Sequence, residues 1–153
     1  MKKLLFSAFL SFIFSAGVCV EANAQTFSGS IGTIKRGSAA KGRIVMSIPG
    51  GLHVNSSRPN SEYAIPTVVK VSAAGAKVGA VGYPRGRTRK FGFSEDSINV
   101  YEGQTVFNFN IAVPANFKGS VLKVRAVVRY QACTDEVCYA PKSKEITLTA
   151  KVS

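Results

Sequence analysis

The chain has 153 residues, with 20 Lys and Arg against 8 Asp and Glu, a net charge of +12. That length is one domain's worth, enough for a hydrophobic core without disulfide support, and it leaves little room for a second folded unit. After the N-terminal segment there is no second long apolar run, so stable membrane insertion is not expected.

Residues 1–24 read as a secretion leader. Lys2 and Lys3 give a positive start, Leu4 to Val20 an apolar stretch broken only by small residues, and Ala22-Asn23-Ala24 an A-x-A cleavage site ahead of Gln25. The stretch is shorter than the roughly 20 apolar residues of a spanning helix and is punctuated by serines. A lipidated cysteine usually follows a small residue, and Val18 is not small, so Cys19 is expected to leave with the leader. The mature domain is then 25–153, with Cys133 and Cys138 as its two cysteines. Losing Lys2, Lys3 and Glu21 leaves 18 basic and 7 acidic residues, net +11. Such a charge attracts anionic partners; the simplest reading is a soluble basic secreted domain.

The mature chain reads as strands. Arg43 to Ile48 and Thr67 to Val71 are the first two. Thr105 to Val113 alternates with period two, with Phe107, Phe109, Ile111 and Val113 on one face and Asn108 and Asn110 on the other. Leu122 to Tyr130 repeats this, with Leu122, Val124, Ala126, Val128 and Tyr130 inward and Lys123, Arg125 and Arg129 outward. Ile146, Leu148, Ala150 and Val152 continue it. Turn clusters such as Pro49-Gly50-Gly51 and Pro114-Ala115-Asn116 separate the runs. No stretch has helical spacing, so the expected fold is an all-β antiparallel sandwich of roughly seven to nine strands. Gly82 to Phe93, rich in Gly and Arg, is expected to be a long exposed loop. Its basic run, Arg85 to Lys90, reads as a solvated loop that steers an acidic partner rather than as a nucleic-acid site. His53 reads as a polar residue flanking a turn.

Cys133 and Cys138 flank Thr134-Asp135-Glu136-Val137 at the end of an alternating strand. A tight turn would bring the sulfurs within bonding range. Two cysteines do not fill a tetrahedral metal site, and the one histidine is distant in sequence, so no metal or other cofactor is expected. A bond closing so short a loop stabilises by only about 2 kcal/mol on the chain-entropy model. A structural staple and an exchange-active pair both remain open on spacing alone. Asp135 and Glu136 would raise a thiol pKa here, whereas Arg89 and Lys90 would lower it if near.

Tyr130-Gln131-Ala132-Cys133 followed by Cys138-Tyr139-Ala140-Pro141 resembles the N-terminal periplasmic domain of the thiol:disulfide interchange protein DsbD. Pro49-Gly50-Gly51-Leu52-His53-Val54-Asn55, Ile65-Pro66-Thr67 and Tyr83-Pro84 agree in order, so the resemblance covers most of Ile44 to Val152. It implies a periplasmic immunoglobulin-like sandwich with its active-site disulfide, Cys133 and Cys138, on a hairpin supported by Tyr130 and Tyr139. It implies electrons accepted from a membrane donor and passed to thioredoxin-like proteins, among them disulfide isomerases and the reductants of cytochrome c maturation. Cys138 is the cysteine that would meet the partner. An aromatic loop caps the pair in that family; Phe91 matches it by position, with Phe93 the alternative, and Phe91→Ala is expected to bare the thiols at little cost in stability. Three features depart from the pattern. Arg89 and Lys90 stand where acidic residues often precede the cap, the turn between the cysteines is one residue shorter than in some members, and the chain ends at Ser153. A complete DsbD continues into membrane helices and a thioredoxin-like domain, so a module without its own electron source is expected. The competing expectation is an immunoglobulin-like binding or assembly module whose disulfide is a staple.

Overall fold

In the computed structural model, which describes residues 25–153, eleven strands and no helix are found among the described residues. The leader and its cleavage after Ala24 lie outside the described residues. The strands are β1 (Thr26–Ile31), β2 (Ala39–Ser47), β3 (His53–Asn55), β4 (Val68–Ala73), β5 (Lys77–Val78), β6 (Arg87–Arg89), β7 (Ile98–Tyr101), β8 (Gln104–Ala112), β9 (Val121–Tyr130), β10 (Ala132–Cys133) and β11 (Lys142–Lys151). All pair antiparallel, in three sheets ordered β1-β2-β8-β5, β11-β9-β4 and β10-β3-β7-β6. No described helix is long and apolar enough to cross a membrane.

The first two sheets enclose the core. Phe107, Phe109, Ile111 and Val113 of β8 and its end are buried, as are Leu122, Val124, Ala126 and Val128 of β9 and Leu148 and Ala150 of β11. Period-two alternation therefore sets which face of each strand is inward. Ile146 is only half-buried, since β11 runs out toward solvent at that end. Two glycines let the layers close. Gly42 sits opposite Phe109, and a Cβ there would collide with the Phe109 ring. A Cβ on Gly29 would lie 2.8 Å from Leu148 Cδ2, so the strand pair β1–β2 meets β11 over bare backbone.

The third sheet is small and carries Cys133 on its edge strand β10. Its members are short and lack clean alternation, which is why sequence periodicity did not mark β3, β6, β7 or β10. Gly82 to Phe93 differs from the expected exposed loop. Arg87–Arg89 is an edge strand paired with β7, and Phe91 is buried at 4% exposure. An edge strand paired through its backbone alone needs no apolar face, so Arg-Thr-Arg gives no strand signal.

Candidate functional site

Strand β9 continues through Gln131 into β10, and the chain then turns at Thr134–Val137. Thr134 N–H donates to Val137 O at 2.8 Å, while Thr134 Oγ1 accepts from the N–H groups of Glu136 and Val137 at 3.2 and 3.0 Å. A threonine at this place thus closes the turn from within. Tyr139 N–H donates to Ala132 O at 2.9 Å, so Cys133 and Cys138 become bridge partners with Cα atoms 4.0 Å apart, joined by a disulfide with S–S 1.98 Å. The two halves of the bond differ in access: Cys133 is fully buried and Cys138 is exposed.

Gln131 holds the hairpin to the sheet. Its Oε1 accepts from Asn55 Nδ2 at 2.9 Å and from Ile65 N–H at 3.3 Å, and its Nε2 donates to Tyr139 O at 3.2 Å. Asn55 is itself buried and donates to Ile65 O at 3.2 Å. Strand β3 lies beside β10 in a register that sets His53 opposite Cys133. His53 flanks a turn, as expected, but it is also a buried strand residue, 2% exposed, which the sequence did not show. The Pro49–Leu52 turn ends one residue before it, closed by Leu52 N–H donating to Pro49 O.

Phe91 stacks on the His53 ring, centroids 4.1 Å apart at 14°, and on Phe93 at 5.3 Å and 8°. Below it Ile98, Val100 and Ala64 form a small apolar cluster. Arg89 reaches over the Phe91 ring, 5.7 Å from its centroid, and pairs with Glu102 at 2.5 Å. Lys90 donates to Glu95 O. Burial pushes the His53 imidazole below its ordinary range, while the carboxylates of Asp135 and Glu102 act in the opposite, upward direction and Arg89 again lowers it.

The residues singled out in the sequence separate into distinct places. Cys133 and Cys138 meet as expected. Phe91 contacts the imidazole opposite Cys133 and is buried, 4% exposed, a packing from which a larger stability cost on its removal is expected than the small one read from the sequence. Phe93, 41% exposed, shares with Cys138 a hollow of about 420 Å³ also lined by Asn55, Tyr63, Ile98 and Gln131. Tyr139 is exposed and bonds the hairpin through its backbone. Tyr130 faces the main core, its ring 5.4 Å from Phe27, and burial raises its hydroxyl pKa. His53, Asn55 and the bracketing role of Gln131 were not read from sequence. The order His53-Val54-Asn55 carries no period, and only strand pairing brings it to the cysteines.

An immunoglobulin-like sandwich with a disulfide on a hairpin, one cysteine buried and the other exposed, defines the class: a β-domain with an asymmetrically buried cystine. The model of the family described as "Thiol:disulfide interchange protein DsbD, N-terminal" matches residues 22–150. The chain belongs to this family and is a thiol–disulfide interchange module of it; the domain for which the family is named is periplasmic. Among solved structures, the N-terminal periplasmic domain of ScsB from Proteus mirabilis is similar at a TM-score of 0.58 and 12% identity, over 84% of this chain and 47% of that one. The reduced DsbD N-terminal domain of Neisseria meningitidis is similar at a TM-score of 0.47 and 18% identity, over 82% and 89%. No curated protein matched the chain.

Proposed function

We propose that the domain exchanges disulfides with thioredoxin-like periplasmic proteins through Cys138, with Cys133 as the resolving cysteine. The observation that carries this is the asymmetry of the pair, since Cys133 is fully buried and Cys138 is an exposed residue. In the oxidised domain a partner thiolate attacks Cys138 Sγ. The Cys133–Cys138 bond breaks, Cys133 leaves with the electron pair as a thiolate, and a mixed disulfide forms between Cys138 and the partner. The partner's second thiolate then attacks its own half of that bond, and Cys138 leaves as a thiolate. The partner is oxidised and the domain carries two reducing equivalents. The reverse sequence passes them to an oxidised partner. The family's role supports a membrane donor upstream and thioredoxin-like acceptors downstream, including those of cytochrome c maturation. Phe93 is the movable aromatic beside Cys138, and Phe91 anchors its loop.

Reduced Cys133→Ser mixed with an oxidised thioredoxin-like protein should give a covalent adduct on a non-reducing gel. Cys138→Ser, which keeps only the buried sulfur, should give little. If neither variant traps a partner and the wild-type disulfide resists a reduced thioredoxin-like protein, the bond is a staple and the domain is a binding module.

A further inference from the structure

The buried ring nitrogen of His53 has no hydrogen-bond partner. Among the described residues, His53 Nε2 and Gln25 Nε2 are the buried side-chain nitrogens in that position. Leaving such an atom unpaired costs stability, and an unpaired polar group in a native protein calls for an account of its own. His53 stands directly opposite Cys133 in the β3–β10 register. Opposed residues of an antiparallel pair point to one face, with Cβ atoms about 4.5–5.5 Å apart. In the disulfide, Cys133 has no S–H to offer. Reduction places a thiol proton on Cys133, on the same face of the sheet as the imidazole whose Nε2 lacks a partner.

We infer that His53 is the proton acceptor for Cys133 in the resolving half of the exchange, an inference that rests on the exchange reading above. Cys133 is fully buried, and apolar burial raises a thiol's pKa and keeps it protonated. A protonated thiol does not attack a disulfide, so resolution needs a base at this sulfur. In the mixed disulfide between Cys138 and a partner, the Cys133 S–H proton passes to the imidazole. The Cys133 sulfur attacks Cys138 Sγ and re-forms the intramolecular bond. The partner leaves as a thiolate with the electron pair and is protonated from solvent or from the imidazolium. The ring is suited to the task because burial keeps it neutral near pH 7. The charged groups that bear on it are Asp135 and Glu102, which favour the imidazolium once formed, and Arg89, which opposes it. Phe91 covers it by stacking and limits its access to water.

The test uses dithiodipyridine on the fully reduced domain, because its two thiopyridone releases report the two cysteines separately. The first release is attack by Cys138, and the second is resolution by Cys133. Wild type should release both. His53→Gln and His53→Phe should keep the first release at the wild-type rate and slow the second by at least about tenfold, below the usual range for loss of a general base. The wild-type second phase should lose rate only below about pH 6.5, the ordinary histidine value. In the variants it should rise with pH through the thiol range. Unchanged second-phase rates and pH profiles in two folded variants would overturn the inference and leave the exchange reading intact. A wild-type domain whose first release is absent, or whose Cys138→Ser variant releases as fast as wild type, would overturn the exchange reading and this inference with it. Circular dichroism melts establish that each variant is folded, and His53→Phe preserves the stack if His53→Gln does not fold.

Discussion

Truncating Phe91 to alanine removes a ring that is 4% exposed and stacked between His53 and Phe93. Complete loss of a buried phenylalanine ring costs about 3–5 kcal/mol. The cluster around it is thin, with Ile98 and Val100 as its other buried members and Ala64 alongside. Such a site collapses more readily than the central core, which puts the expected loss near the lower end, about 3 kcal/mol. For a domain of this size that corresponds to a fall in Tm of roughly 12 °C. Urea unfolding of the oxidised Phe91→Ala protein, read beside wild type by circular dichroism, measures it. A loss below about 1 kcal/mol would refute the reasoning, because it would mean the ring is not packed as described. The same variant should let a small thiol reduce the disulfide faster. If stability falls and the reduction rate stays at the wild-type value, Phe91 is an anchor only, and protection of the bond rests with Phe93.

Gln131→Ala removes the amide that bridges Asn55, Ile65 and Tyr139. It should cost about 1–3 kcal/mol, since Asn55 is left buried with a partner missing, and amide hydrogen exchange at Tyr139 should quicken; unchanged protection there would show that the backbone alone holds the hairpin. His53 should also make stability depend on pH. Its folded-state pKa is depressed by burial, so the unfolded chain binds more protons; the contribution is present above the unfolded value of about 6.5 and is lost as pH falls. Urea midpoints should therefore drop less between about pH 7.5 and about pH 5 for His53→Phe than for wild type, and equal drops would count against a buried neutral imidazole.

Much of the sandwich was legible in the sequence because its long strands bury one face. In β8, β9 and the second half of β11 every second side chain faces the core, and the pattern declares both the strand and its orientation. The cysteine pair was legible because a four-residue turn leaves its two ends close whatever the rest of the chain does. The third sheet was not legible. Strands of two to four residues, such as His53–Asn55 and Arg87–Arg89, are too short to show a period, and they are held by backbone pairing that any residue supports. Which cysteine is buried, that Phe91 lies beneath its loop, and that His53 faces Cys133 all depend on β3 docking against β10. That register joins residues about 80 positions apart. Composition along one strand carries no record of the side chains opposite it. The sequence by itself determined the sandwich and the disulfide; the pairing of distant short strands decided the surroundings in which that disulfide reacts.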